Sequence, residues 1–388
     1  MRVIHVLFAL VITCVLYYAT VTKAAIPQSL SYTFLATPPA MRRSANARLL
    51  LEDRTAGTRP EMMTSVLRDN GYVHNRDGRT ASLIVFRYIV DYIDWYPLLK
   101  RHASPSHVYA LRGIDLMANK GNMYRVLRRE MEPSLLERCV PDTYLLYDRV
   151  DRNRFLSTIR EGESMFIMKK NLQRQQGCVI VRNEREARER LSNDAKFVVA
   201  QRLLLDNLLV MDRKCNIRRY VIIVRTERYV RAYLHDDGFV YYSAHAQTDA
   251  PTERSFHITT GYIDRKIYDT HPMTLTDMYA FVGRANADVF QRNMSKLLER
   301  VFGVFVSELS VSDPAVKGRT CFAIMGCDLS VNKNYDCMLM EINKGPDLNA
   351  KDDRDGSIKR KVVDAALVAA RLINGELYDV RLIGETTE

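Results

Sequence analysis

From Ala81 onward, apolar residues fall into short blocks whose spacing alternates between the two-residue period of strands and the wider period of helices. The pattern predicts a strand over 82–90, a helix with a strongly basic face over 117–131, a turn into a strand over 141–147 and a second helix over 152–160. A β-rich half follows. Strands are predicted over 164–168 and 178–181, joined by the polar loop 171–176 and Gly177, then a charged helix over 184–192 and a strand over 197–201. Residues 217–225, 229–234 and 239–243 predict a meander, with Asp236-Asp237-Gly238 as a hairpin turn. One or two amphipathic helices are predicted over 273–304, and a closing helix over 358–373. This is an α+β pattern with antiparallel sheet, not the regular alternation of a doubly wound fold.

The N-terminus reads differently. Residues 3–18 are almost unbroken apolar sequence, interrupted by His5, Thr13 and Cys14. Small residues at Ala24 and Ala25 allow a signal peptidase site, with Arg2 as a minimal basic start. The length also allows a membrane tether through residues 3–20. Lys23, Arg42, Arg43 and Arg48 outweigh Arg2, which favours a membrane-anchored protein with a cytoplasmic body, the secretory pathway after signal cleavage being the alternative. Residues 26–80 are rich in Pro, Ser, Thr, Arg and Asn and read as a partly disordered linker with one short helical patch near Ala47 to Glu52. The seven cysteines form no CxxC pair and sit mostly in apolar runs, as buried free thiols do.

Charge narrows the partners. With 57 Lys and Arg against 46 Asp and Glu, the 388-residue chain carries +11 and favours an anionic partner. No helix-turn-helix, finger or ribonucleoprotein pattern is present, which argues against sequence-specific nucleic-acid binding. The sharpest chemistry is a C-terminal hairpin. An apolar strand through Cys321 to Val331 carries Asp328, and after the polar turn 332–336 a second strand carries Glu341 and Asn343, which share one face with Leu339 in regular alternation. If Asn334-Tyr335 is the tip, Asp328 lies across from Glu341; a longer loop slips that register. Two carboxylates and an amide on an apolar scaffold suit Mg²⁺, which takes oxygen ligands. The competing reading is two carboxylates in salt bridges with neighbouring Lys or Arg.

Other groups could serve phosphate. A strand ending in Lys169, a polar loop, Gly177 and a second strand can fold over a triphosphate, although no GxxxxGK[ST] loop exists. Lys214, Asn216 and Arg218 form one polar stripe at the start of an apolar strand, and Arg231 inside the next strand needs a partner or a ligand. His257 and Thr259, in His-Ile-Thr-Thr, suit a general acid/base or a phosphate-contacting turn. No GxSxG elbow is present.

In this order the segments resemble the tubulin tyrosine ligase-like family, a branch of the ATP-grasp enzymes, over roughly residues 103–373. Ser104-Pro-Ser-His-Val-Tyr, Met117-Ala-Asn-Lys120 and Val140-Pro-Asp-Thr-Tyr144 are similar to its N-terminal lobe. Phe197-Val-Val-Ala-Gln201-Arg-Leu is similar to its hinge, and Arg213-Lys-Cys-Asn-Ile-Arg218 to its Lys-Phe-Asp-Ile-Arg motif. His257-Ile-Thr-Thr, Gly326-Cys-Asp328 and Glu341-Ile-Asn343-Lys-Gly-Pro346 resemble its remaining motifs. The resemblance implies an ATP-grasp fold with a small N-terminal lobe at 81–160, a central lobe at 161–213 and a C-terminal lobe with the metal site at 214–375. The hydrophobic segment at 1–25, a signal peptide or membrane anchor, and the linker at 26–80 precede it, and a tail at 376–388 follows.

It also implies roles. Lys169 and Lys120 would touch the phosphates of ATP, Gln201, Arg202 and Leu203 would line the adenine pocket, and Thr259 would sit at the nucleotide. Asp328, Glu341 and Asn343 would hold Mg²⁺. Lys214, Arg218, Arg231 and His257 would face the γ-phosphate, the activated carboxylate or the incoming free amino acid. The implied reaction is ligation of an amino acid, glutamate or tyrosine, to a glutamate carboxylate of an acidic protein tail such as that of tubulin. Four departures stand out: Lys170 where the family has Pro, a missing loop glycine near Gln175, Asn216 for Asp, and Thr260 for an amide. They leave room for a catalytically weak or inactive module that binds microtubules or another acidic partner.

Overall fold

The apolar strand Thr320–Val331 runs through the larger of two sheets and is buried along most of its length, with strands hydrogen-bonded on both of its edges. The computed structural model describes residues 48–52, 61–74, 82–86, 106–159, 164–172, 177–246, 254–260, 263–309 and 317–387. The strands are β1 (Arg48–Glu52), β2 (Val73–His74), β3 (Leu83–Phe86), β4 (His107–Tyr109), β5 (Thr143–Leu145), β6 (Phe166–Lys170), β7 (Cys178–Val181), β8 (Phe197–Arg202), β9 (Leu209–Val210), β10 (Arg213–Arg225), β11 (Tyr229–Ser243), β12 (Thr259–Thr260), β13 (Thr320–Val331), β14 (Cys337–Lys344) and β15 (Val380–Thr387). The helices are α1 (Glu61–Asp69), α2 (Asp115–Ala118), α3 (Lys120–Glu130), α4 (Pro133–Cys139), α5 (Arg149–Thr158), α6 (Glu184–Asn193), α7 (Arg254–His257), α8 (Leu275–Val282), α9 (Arg284–Leu309) and α10 (Asp353–Ala369).

The fold is mixed α+β. The larger sheet runs β12-β11-β10-β13-β4-β3-β1-β2, with β14 on β13, β15 on β11 and β9 on β10. It is antiparallel around β10, β11, β13 and β14 but parallel where β13, β4, β3 and β1 meet. The smaller sheet, β5-β8-β6-β7, is antiparallel. One face of it, with Phe166, Met168, Val181 and Ala200, packs on Phe155 and Leu156 of α5 and Ala187 of α6 as a separate core. Leu145, Ile167 and Val199 alternate onto the other face and belong to neither core cluster, although they are buried.

Several expectations change. The stretch 26–80 carries β1, α1 and β2 in its described part: the expected helical patch near 47–52 is instead strand β1, paired with β3, and Met63, Val66 and Leu67 of α1 enter the main core. Residues expected as a tail form β15, paired along β11. The small sheet takes in β5, ahead of the expected start of the central lobe at 161. The helix predicted over 117–131 breaks at Asn119, whose extended backbone and side-chain oxygen cap α3 through the amides of Gly121 and Asn122. Cys178 is only half-buried, whereas the other five described cysteines are buried.

Asp236-Asp237-Gly238 is no hairpin turn. The strand β11 runs straight through it, with a bulge that moves the β10 pairing from Arg219–Gly238 to Val221–Leu234. Gly238 is required there, because a Cβ would lie 2.2 Å from the Arg218 carbonyl oxygen. Asp237 turns its carboxylate onto the start of α8, accepting from the Leu275 amide at 3.1 Å and the Thr276 hydroxyl at 3.0 Å. Acidic groups at a helix start are favoured by the local dipole, so residues with turn chemistry serve a cap instead.

The apolar segment at 1–25 lies outside the described residues, as does Gln175. Among the described residues no helix is long and apolar enough to cross a membrane. The expectation of a membrane-anchored protein, with its tether, is therefore withdrawn.

Candidate functional site

Asp328 on β13 pairs directly with Glu341 on β14, although beside the turn the pairing is Val331–Cys337, one residue off the register of a tip at Asn334-Tyr335. The route to that register differs from simple alternation. Beyond Asp328 the pairing is Leu329–Leu339, so Met340 is an extra residue on β14 and the ladder carries a bulge. The bulge turns Leu339 onto the buried face, away from Glu341 and Asn343, with which alternation had grouped it. Asn343 follows two residues on, opposite Gly326.

The three polar side chains converge. The Asn343 amide nitrogen donates to Asp328 Oδ2 and to Glu341 Oε1, both at 3.0 Å. Arg218 on β10 clamps Asp328 with two hydrogen bonds of 2.6 and 3.0 Å, and Lys120 Nζ stands 3.2 Å from Glu341 Oε2. Each carboxylate thus has a cationic neighbour, as the salt-bridge reading expected, and both cations come from the set expected around phosphates. A Cβ at Gly326 would lie 3.1 Å from Arg218 Nη1, so the glycine gives the guanidinium its place across β13.

Electrostatics separate the two acids. Burial opposes ionisation of both. At Glu341 the Lys120 and Lys169 ammonium groups and the Asn343 amide outweigh burial and take the carboxyl down to about 2. At Asp328 burial prevails over Arg218, with the Glu341 charge adding to it, and the carboxyl is raised.

The opposing lysines come from the small sheet and the start of β10. Lys169 is buried at the end of β6 and donates to Gln201 Oε1 at 2.7 Å. Burial lowers its pKa, and Lys120 adds to the effect, while Glu341, Cys178 and Asp328 oppose it. Lys214 is likewise buried, and burial together with Lys169 lowers it to about 8. Lys120 opens α3, where its backbone amide donates to Asn171 Oδ1 at 3.2 Å and its ammonium to the Leu172 carbonyl at 3.3 Å. The strand-loop after Lys169 is thereby tied to the helix that carries Lys120.

Other expected residues sit further off. Arg231 on β11 pairs with Val224, six residues along β10 from Arg218, or about 20 Å at strand rise. Its guanidinium binds Glu385 of β15 at 2.7 Å and lies 4.1 Å from the Tyr229 ring centre. The partner that a charge inside a strand needs is Glu385, not a ligand at the acidic pair. His257 closes α7, which packs beside β10 and β11, and Thr259 pairs with Ser243 on β11. Both stand toward the Lys214 end of β10. Arg202 is half-exposed and binds Asp142 at 2.8 Å, while Leu203 is buried with its amide donating to the Met165 carbonyl at 2.8 Å. Gln201 spends its amide on Lys169 and on Thr143 Oγ1, 3.0 Å away. Asn216, the swapped residue, is in the Asp328 neighbourhood through its pairing with Ser330, and its buried Oδ1 accepts no hydrogen bond.

Among the described residues no three His, Cys, Asp or Glu side chains gather to hold a metal, so a cation here needs Asn343 as its third donor. The donor set fits Mg²⁺. Two carboxylates and an amide carbonyl supply only oxygens, and the Asn343 NH₂ already bridges both acids where positive charge is favoured. Half a turn of that amide offers its oxygen in place of its nitrogen. Sequence reasoning assigned no role to Thr143 or to Lys344, which binds Asp115 at 2.6 Å; Thr143 was legible only as part of Val140-Pro-Asp-Thr-Tyr144.

A family model described as the tubulin-tyrosine ligase family matches residues 106–376, which include every site residue named above. The chain is 24% identical over 195 residues to the Caenorhabditis elegans probable tubulin polyglutamylase ttll-9, a match covering 47% of this chain and 46% of that protein. It is 25% identical over 178 residues to the rat probable tubulin polyglutamylase TTLL9, covering 44% and 37%. A mouse protein polyglycylase, TTLL10, is 23% identical over 242 residues, covering 55% and 34%. The matches span less than half the length of these relatives.

Proposed function

Because this chain belongs to the tubulin-tyrosine ligase family, within the ATP-grasp superfamily, we propose that it is an ATP- and Mg²⁺-dependent ligase that adds an amino acid to a glutamate carboxylate of an acidic protein tail, tubulin first among candidates. The observation that carries this reading is the meeting of Asp328, Glu341 and Asn343 on one hairpin with Lys120, Lys169 and Lys214 around them. Acidic donors for a metal beside buried cations for phosphate are what phosphoryl transfer to a carboxylate needs. Mg²⁺ held by the three donors would neutralise phosphate charge.

The protein's own groups would then do the following. Lys169 and Lys120 bind the triphosphate, and Lys214 and Arg218 face charge that develops during transfer. A carboxylate oxygen of the acceptor attacks the γ-phosphorus, ADP leaves, and an acyl phosphate results. The amine of the free amino acid attacks the acyl carbon, phosphate leaves, and an amide bond remains. Glutamate is the first choice of amino acid, since two of the relatives named above are called polyglutamylases; tyrosine and glycine are distinguished by mass. The net charge of +11 suits an anionic tail.

Intact-mass analysis of tubulin after incubation with the purified chain, MgATP and a free amino acid tests the proposal. One residue-mass step that depends on ATP and is lost with Glu341→Gln is the expected result. The rival reading, a binding module without turnover, draws on the ion pairs that already occupy Asp328 and Glu341. Equal background incorporation by wild type and Glu341→Gln, with tubulin still bound, would establish that rival.

A further inference from the structure

Thr143, Gln201 and Lys169 lie on one face of the small sheet, all buried. Thr143 and Gln201 are direct cross-strand partners, and Gln201 also pairs with Ile167, two residues before Lys169. Their polar atoms form one chain. The Thr143 hydroxyl donates to the Pro141 carbonyl oxygen at 2.7 Å. A hydroxyl has a single proton, so toward Gln201 the Thr143 oxygen can only accept. Gln201 Nε2 donates to it at 3.0 Å, and Gln201 Oε1 accepts from Lys169 Nζ at 2.7 Å.

This relay has one direction. Turning the Gln201 amide over would set its NH₂ against the Lys169 ammonium, donor to donor. It would also set the carbonyl against a Thr143 oxygen whose proton is committed elsewhere. Both contacts would be lost in a buried place where unmade hydrogen bonds are costly. The main-chain carbonyl of Pro141 therefore fixes the amide, and the amide fixes Lys169. Of the three ammonium protons, one is taken by Gln201. Lys120, Lys214, Glu341 and Asp328 all act electrostatically on the same ammonium.

We propose that Thr143 is a positioning residue for the nucleotide site: through Gln201 it holds Lys169 as an oriented donor to the phosphates. The Gln201 side-chain amide accordingly serves the phosphate end of the site. The inference rests on the nucleotide reading above, and its test separates the two.

Thr143→Val keeps the shape and removes the hydroxyl, while Thr143→Ser keeps the hydroxyl and removes the methyl. Full-length variants are assayed for MgATP affinity by calorimetry and for KM and kcat of ATP. Thr143→Val is expected to weaken MgATP binding and raise KM at least about 10-fold, with kcat changed less than about 3-fold, as loss of a buried hydrogen bond in the relay requires. Thr143→Ser should stay within about 3-fold of wild type. A role in packing alone predicts the reverse order, with Ser worse than Val, and that order overturns the proposal, as does a Val variant equal to wild type. A second readout needs no nucleotide. With glutamine labelled by ¹⁵N, the Gln201 side-chain NH₂ should exchange slowly in wild type and Thr143→Ser and quickly in Thr143→Val. If wild type binds no MgATP while this exchange pattern holds, the nucleotide reading fails and the relay stands. If exchange is the same in all three, the relay fails whatever binds.

Discussion

Lys214 illustrates how single residues set the working conditions of the site. It is buried, and burial with the neighbouring Lys169 brings it from the ordinary lysine range down to about 8. Its charge is therefore lost as pH rises through that value, whereas a guanidinium stays charged throughout. MgATP affinity should fall between pH 7 and pH 9 in wild type and stay flat in Lys214→Arg, by calorimetry across that range; parallel curves would remove Lys214 from phosphate binding. The stability consequence has the opposite sense. A depressed lysine disfavours the charged folded form, so the ligand-free protein gains stability as pH climbs from about 8 toward the unfolded lysine value near 10.4. Gly326 is the second residue with a sharp consequence. A Cβ there would press on Arg218 Nη1 at 3.1 Å and on Pro346 Cβ at 3.2 Å. Gly326→Ala should cost about 1–3 kcal/mol in denaturant unfolding through overpacking, and it should lower turnover because Arg218 must leave Asp328.

At the scale of elements, the bulge at Met340 decides which side chains of β14 reach the site. Strict alternation puts Leu339 beside Glu341; the observed pairing puts it in the core. Leu339→Ala should therefore destabilise by about 2–5 kcal/mol, the cost of a core truncation, and Met340→Ala by clearly less, since Met340 is half-buried. Denaturant melts of both variants check this, and the reverse ranking would mean a straight strand. Asp328, Glu341 and Asn343 were legible because polar groups in an apolar hairpin need a reason, but their facing comes from the bulge, since the Val331–Cys337 pairing beside the turn would otherwise set Asp328 against Met340. The bulge was not legible, because Met338, Leu339 and Met340 are all apolar and hide the change of face that one extra residue makes. The same holds for Asp236-Asp237-Gly238, whose turn chemistry serves a bulge and a helix cap. Arg231 was rightly marked as needing a partner, but Glu385 lies 154 positions away and only the sheet brings it near. Asn119 was an ordinary helix-start residue hidden inside a helical pattern, and recognising its cap would have placed Lys120 at the head of α3.

At the scale of the whole molecule, the matched family segment and the folded unit are not the same length. The family match runs over 106–376, yet the main sheet takes β1, β2 and β3 from before it and β15 from after it. Before the match, Met63, Val66 and Leu67 of α1 and Leu83, Ile84 and Val85 of β3 are buried in the main core. The hydroxyl of Tyr72 also donates to the Leu372 carbonyl at 2.8 Å. After it, β15 covers the edge of β11 and lies against α9, where a Cβ on Gly384 would come within 3.1 Å of Val306. Its Glu385 neutralises Arg231, whose charge would otherwise stand on an exposed edge. Removing these pieces exposes apolar side chains and opens two sheet edges, which are templates for association with other chains. A chain shortened to residues 106–376 should thus lose its cooperative melt or aggregate on purification. A chain ending at Asp379, with only β15 removed, should melt lower by on the order of 10 °C, corresponding to several kcal/mol at this size. Calorimetric melts of the three lengths decide the matter. If the 106–376 chain melts with the midpoint and enthalpy of the full protein, the added strands are ornaments on a self-sufficient family fold. If it does not, β15 and the α1–β3 region are part of what holds β10, β11 and β13 in register, and with them Arg218 over Asp328.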